Sequence, residues 1–209
     1  MIAILDYDAG NIKSVEKALE YLGEEARITK DKDQILESER VILPGVGSFG
    51  DAMKRLRDSG LDRVIYDVVD KGIPFLGICL GLQMLYESSD EAPGVMGLGL
   101  LKGTINRIPE RPGLKIPHMG WNSLDVRENA ALFRGIEGNP YVYFVHSYYL
   151  KAADEKEVAA TTFYSTLIHA SVEKDNIYAC QFHPEKSSRV GLKILENFIR
   201  LSSPLQEGC

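Results

Sequence analysis

Three stretches of this chain carry side chains able to do covalent chemistry together. The first is Gly77-Ile78-Cys79-Leu80-Gly81. It follows an apolar run and precedes a helical pattern, which makes it a nucleophile elbow, G-x-nucleophile-x-G, with sulfur in place of hydroxyl. A sharp strand-to-helix turn holds its nucleophile in a strained backbone conformation, so the flanking positions must be small. The helix start that follows carries partial positive charge, which favours thiolate. The alternative is a buried structural cysteine, since free Cys is among the most buried residue types.

The second stretch is Gln181-Phe182-His183-Pro184-Glu185. Proline drives the residue before it into extended geometry. Residues two apart on an extended segment face the same way, so Glu185 is placed to hold the imidazole of His183. A strand end would deliver both to the carboxyl edge of a sheet, where open α/β folds keep their sites. The alternative is a solvent-exposed turn. Cys79 and His183 lie far apart in sequence, so only the fold can join them. With Glu185 they make a Cys–His–acid triad the sharp hypothesis.

The third stretch is Pro44-Gly45-Val46-Gly47-Ser48-Phe49-Gly50. Its glycines spell G-x-G-x-x-G, and Asp67 and Asp70 follow near the acidic position of a dinucleotide fingerprint. That fingerprint belongs in the first βα turn of a chain, where this sequence has only Gly10. The competing reading is a flexible strand whose N–H groups meet a developing oxyanion. The remaining histidines, His118, His146 and His169, are scattered, without the i, i+4 pairing of a zinc motif. No metal and no cofactor is expected.

The elements that must position these residues follow from periodicity. Ile2-Ala3-Ile4-Leu5, Val41-Ile42-Leu43 and 74–78 read as buried parallel strands. Ile12, Val15, Ala18, Leu19 and Leu22 recur at helical spacing before Gly23, as do Leu61, Val64, Ile65 and Val68 before Gly72. A helix is predicted over 80–88. The second of these runs, Val41-Ile42-Leu43, is expected to be ended by Pro44-Gly45. The second half carries β-rich segments at 141–145, 157–162, 167–172 and 177–182, then a helix over 188–201. The fold expected is α/β: a central, mostly parallel sheet flanked by helices, with an added antiparallel β portion. Segment 107–115 reads as a mobile loop, and 202–209 as a flexible tail beyond a single domain over 1–201.

Composition narrows the class of function. The chain has 209 residues, 44% of them hydrophobic and 26% charged, with a formal charge of −6. This fits one globular domain and argues against a general nucleic-acid binder, which needs a basic footprint. No uncharged stretch reaches the roughly 18 residues of a membrane span. Three widely separated cysteines, Cys79, Cys180 and Cys209, with no CxxC, fit a reduced, cytoplasmic protein.

The segments GICLGLQ (77–83), QFHPE (181–185) and PGVGSFGDAM (44–53) resemble the class I, triad-type glutamine amidotransferases, whose fold is flavodoxin-like. DYDAGN (6–11), PHMGWN (117–122), FVHSYY (144–149) and Lys186 resemble one branch, the glutaminase subunits of imidazole glycerol phosphate synthases. The likeness runs from residue 1 to about 201. Asp8 departs from it, standing where the family often has glycine.

The resemblance implies roles residue by residue. Cys79 would attack the side-chain amide of glutamine, His183 would shuttle the proton, and Glu185 would orient His183. The oxyanion would meet the N–H of Leu80 and one from Val46–Gly47. Gly45, Gly47, Gln83, His146, Ser147 and Tyr148 would line or support the glutamine pocket. Ammonia would pass through an internal channel to a (β/α)₈-barrel cyclase, docked through Asn11, Met119, Trp121, Asn122 and Lys186. The family is nearly silent until the cyclase binds its nucleotide, and Gly45 and Gly47 would permit the peptide flip that switches it on. Three rival readings remain, a stand-alone cysteine hydrolase, a non-catalytic regulatory subunit and a nucleotide-binding dehydrogenase.

Overall fold

The computed structural model describes residues 1–8 and 12–202. Asn11, Cys209 and all but the first residue of the expected tail therefore lie outside the described residues. The chain opens with β1 (Ile2–Leu5), α1 (Lys13–Tyr21), β2 (Ala26–Thr29), α2 (Lys32–Leu36), β3 (Arg40–Gly45), α3 (Phe49–Asp58) and α4 (Leu61–Asp70). Next come β4 (Phe75–Cys79), α5 (Leu80–Met84), β5 (Ser88–Ser89), β6 (Gly103–Arg107), β7 (His118–Ser123) and β8 (Asp125–Val126). It closes with β9 (Tyr141–His146), β10 (Tyr148–Ala152), β11 (Val158–Tyr164), β12 (Thr166–Lys174), β13 (Ile177–Cys180) and α6 (Ser188–Ile199).

The main sheet has the order β2-β1-β3-β4-β13-β12-β11-β8. Strands β2 through β13 of that order run parallel, while β12, β11 and β8 are antiparallel. Two small sheets, β10-β6-β5 and β7-β9, lie outside it. The expected α/β architecture with an added antiparallel portion is therefore the one observed.

The apolar runs are continuous because both faces of the parallel strands are covered. Ile2, Ile4, Ile42, Leu76 and Ile78 pack with Val15 and Leu19 of α1 and with Ile194, Leu195 and Phe198 of α6. Ala3, Leu5, Val41, Leu43 and Phe75 face the other way, against Met53 and Leu56 of α3 and Val64, Ile65 and Val68 of α4. Alternation along each strand thus feeds two separate cores.

Two boundaries differ from the sequence reading. Strand β3 continues through Pro44 and Gly45, whose partners on β4 are Ile78 and Cys79. Proline is tolerated there because pairing with β1 has already stopped at Ile42. The helix after Cys79 ends at Met84 rather than Ser88. Its residues are buried on every side, and the chain turns away to join β5 to β6. Asp8 adopts φ 61°, a left-handed conformation that suits glycine and that Asp tolerates.

Candidate active site

Strands β3, β4 and β13 are neighbours, and their carboxyl ends bring the three chemical stretches to one edge. Cys79 ends β4 with φ 55° and ψ −110°, a conformation that costs of order 1–3 kcal/mol for a residue with a Cβ. Packing holds it there. A Cβ on Gly81 would lie 2.0 Å from the Leu43 carbonyl oxygen, and one on Gly77 would lie 3.0 Å from Gly81 backbone atoms. A Cβ on Gly45 would meet the Gly81 nitrogen at 2.7 Å. The small residues around the elbow are there because backbone meets backbone. Gly45 accordingly packs under the elbow, against Gly81 and Leu80. Together with Gly50, whose nearest neighbour would be Ala92, it accounts for the glycine pattern without a nucleotide.

His183 and Glu185 do meet, with Nδ1 and Oε1 2.8 Å apart and both side chains nearly fully buried. The geometry is not the pure alternation expected. Pro184 does hold His183 extended, at φ −99° and ψ 98°, but Glu185 comes back to the ring on a 3₁₀ turn spanning Pro184–Lys186. The turn is fixed at several points. The His183 N–H donates to the Tyr143 carbonyl at 2.9 Å, and the Ser187 hydroxyl donates to the His183 carbonyl at 2.6 Å. Gly191 of α6 lies so close beneath that a Cβ would sit 1.8 Å from the Pro184 carbonyl oxygen.

The electrostatics favour a charged ring. Burial opposes charge on His183, but Cys79 and Glu185 outweigh it and push the ring up to about 9. Among the described residues, neither its buried Nε2 nor Oε2 of Glu185 has a hydrogen-bond partner. Nδ1 is therefore occupied by the carboxylate, while Nε2 is left open for proton transfer.

A cleft of about 330 Å³ opens over the sulfur. Val46, Gly47, Leu80, Gln83, His146, Ser147 and Tyr148, all assigned to the pocket by resemblance, line it with Cys79 and His183. Gly47 has φ 96°, open space where a Cβ would lie, and hence room to turn. Gln83 is less free than the sequence reading allowed. Its side-chain Nε2 donates to the Tyr148 carbonyl at 3.2 Å and to Gln181 Oε1 at 2.9 Å.

Two residues were missed in the sequence. Gln181 is fully buried and its amide donates to the Cys79 sulfur at 3.7 Å. The alternation applied to His183 and Glu185, carried two residues back, would have found it. Glu91 lines the cleft and accepts from the Phe49 N–H, at the start of α3, at 2.8 Å. It sits in a loop with no periodic signal. Of the interface candidates, Met119 and Trp121 are exposed at 63% and 53%, and Lys186 is exposed on the turn. Asn122 is half-buried and turned inward, donating to the Phe163 carbonyl at 3.1 Å. Trp121 is thus not a core residue. Among the described residues, no helix is long and apolar enough to cross a membrane.

A thiol, an imidazole and a buried carboxylate arranged in series at a strand-end cleft define a nucleophilic acyl-transfer site. The family model for class I glutamine amidotransferases matches residues 3–201, and the chain belongs to that family. Within it, the chain falls with the HisH subunits of imidazole glycerol phosphate synthase. It is 47% identical to the HisH subunit of Methanocaldococcus jannaschii, over 96% of this chain and 100% of the relative. It is 49% identical to that of Moorella thermoacetica, over 94% and 93%. Among solved structures, a glutamine amidotransferase superposes with TM-score 0.73 at 23% identity, covering 94% of this chain and 98% of the other. PurLQS from Thermotoga maritima gives TM-score 0.73 at 23% identity, covering 95% and 96%. At that identity these structures share the fold.

Proposed function

We propose that this chain is a glutaminase that makes ammonia for an imidazole glycerol phosphate synthase, with residues 1–201 as its single domain and the cytoplasm as its place of work. The observation that carries the reading is the Cys79–His183–Glu185 arrangement, with Nε2 of His183 open beside the sulfur and a cleft above.

The steps follow from the geometry. His183 Nε2 takes the thiol proton, and the sulfur attacks the side-chain carbonyl carbon of glutamine. The oxyanion meets the N–H of Leu80 and an N–H of the Val46–Gly47 segment. The tetrahedral intermediate collapses, the carbon–nitrogen bond breaks, and the imidazolium gives its proton to the leaving ammonia. Water, losing a proton to His183, cleaves the thioester and releases glutamate. Glu91 is the one carboxylate among the described residues that line the cleft, which suits the α-ammonium of glutamine. Ammonia released into water at neutral pH would be protonated and lost as a nucleophile. A docked (β/α)₈-barrel cyclase receiving it directly avoids this, and produces imidazole glycerol phosphate and aminoimidazole carboxamide ribonucleotide.

The test is glutamate release from glutamine by the chain alone, then with a barrel cyclase and its nucleotide. Little release alone and a large rise with both supports a gated glutaminase subunit. Strong release indifferent to the cyclase makes it a stand-alone hydrolase.

Two expectations follow. Because the charged ring is the form that protonates the leaving group, glutamine hydrolysis should fall as pH rises through about 9. Glu185→Gln removes one of the groups that raise the ring, so the alkaline limb should move to lower pH. Rates measured across pH 6–10 check both, and an unmoved limb assigns it to another group. Trp121 is exposed beside Tyr143, their ring centroids 6.1 Å apart edge to face. As an aromatic interface anchor, its replacement by Ala should weaken cyclase binding by about 2 kcal/mol, which titration calorimetry measures. Unchanged affinity removes it from the interface.

A further inference from the structure

Two of the histidines that look scattered in sequence meet in the fold. His118 and His146 lie directly opposite each other on the β7–β9 pair. His118 Nδ1 and His146 Nε2 are 2.9 Å apart, and His146 Nδ1 is 2.8 Å from the Tyr148 carbonyl oxygen. Both rings are buried, at 3% and 6% exposure.

The proton positions follow by elimination. A carbonyl only accepts, so His146 carries its hydrogen on Nδ1. Burial pushes His146 down to about 3 and His118 down to about 4, so both rings are neutral at pH 7. A neutral His146 with hydrogen on Nδ1 has a bare Nε2, which must accept. His118 therefore donates from Nδ1, and its own bare Nε2 faces the Asn122 amide at 3.5 Å. The His118 ring is clamped between Tyr164 and Phe144, with centroids 4.0 and 4.7 Å away and near-parallel planes. The orientation of every donor in the series is thus fixed.

The inner end of the series reaches the site. The Tyr148 carbonyl also accepts from Gln83, Gln83 donates to Gln181, and Gln181 donates to the Cys79 sulfur. The outer end is on β7, the strand that exposes Met119 and Trp121.

We propose that His118, which touches no reacting atom, is a positioning residue for glutamine hydrolysis, holding the pocket wall at Tyr148 through His146. It thereby ties strand β7 to the hydrogen-bond series that ends on the nucleophile. This rests on the glutaminase reading of the cleft. Its chemistry separates two roles that one deletion would confuse. His118→Phe keeps the stack between Tyr164 and Phe144 but removes the donor. His118→Asn keeps a donor at the position of Nδ1 but loses the stack.

The experiment uses the full chain with its synthase partner, measuring KM and kcat for glutamine, alongside ¹⁵N-histidine spectra of the full chain. In the wild type, His146 should show the hydrogen on Nδ1 alone. His118→Phe should leave that hydrogen on Nδ1, held by the Tyr148 carbonyl, but strip the hydrogen bond from His146 Nε2, shifting its ¹⁵N resonance, and raise KM for glutamine roughly tenfold, with kcat changed much less, because a buried acceptor is left unpaired. His118→Asn should restore both the Nε2 resonance and a KM within about threefold of wild type. A wild-type KM in His118→Phe with a raised KM in His118→Asn would make the residue a packing element only and overturn the proposal. So would a wild-type His146 with hydrogen on Nε2. The spectra need no glutamine turnover, so a chain that fails to hydrolyse glutamine but shows the fixed tautomer counts against the glutaminase reading and not against the linkage.

Discussion

Cys79→Ser should abolish glutamine hydrolysis, by about 10³-fold or more, and leave ammonia-dependent synthesis by the complex at its wild-type rate. Among the described residues, the sulfur is the one group at the cleft placed both at a strained strand end and beside an open imidazole nitrogen. A hydroxyl at that place does not yield its proton to the imidazole as a thiol does, so the covalent step stops. The replacement is nearly isosteric, and the elbow is held by Gly45, Gly77 and Gly81 rather than by the sulfur. The fold and the docking surface should therefore persist, and ammonia supplied from solution should reach the cyclase. Glutamine-dependent and ammonia-dependent product formation, measured on one preparation, give the two numbers. Loss of both activities would assign Cys79 to the structure. Retention of both would place the nucleophile elsewhere.

Gly81→Ala should lower stability by about 3 kcal/mol or more. A Cβ there would lie 2.0 Å from a backbone oxygen of Leu43, which no rotamer change can relieve. Strand β3 would have to move away from α5, and β3 leads into the Val46–Gly47 segment. Activity should therefore fall even in the fraction that folds. Gly50→Ala is the matched control. It lies in α3, where alanine is the better helix former, and its added Cβ would approach only the Ala92 Cβ at 3.3 Å. Urea midpoints of the two variants should differ widely. Similar midpoints would mean the elbow has slack that the backbone distances deny.

The triad was legible because its positions are dictated by backbone geometry that leaves a trace in residue types. Small residues flank Cys79 where chain crosses chain, and proline follows His183 where the backbone must be extended. The two-sided burial of β1, β3 and β4 was equally legible as unbroken apolar runs. What stayed hidden depends on register and long-range placement. The pairing of His118 with His146 needs the alignment of β7 on β9, and β7 includes Gly120 at φ 126° and has no clean alternation. Strand β2 is only four residues and partly exposed, and α2 only five, too short for a period to show. Glu91 reaches the cleft from a loop, where neither period operates. The overlong helix after Cys79 is an error of a different kind. Its residues satisfy a helical pattern because everything around them is apolar, and the tertiary path ends it early.

The order of strands sets when this protein can work. Strand β13 is made late in synthesis, yet it is laid between β4 and β12 in the interior of the sheet. Until residues 177–185 have left the ribosome, Cys79 on β4 has neither the β13 side of its sheet nor the imidazole of His183. A nascent or prematurely terminated chain can form β1 to β4 and present Cys79, but it cannot cleave an amide. Ammonia production is thus withheld from incomplete chains by topology alone, and joining segments so distant in sequence makes closure of the sheet the slow part of folding.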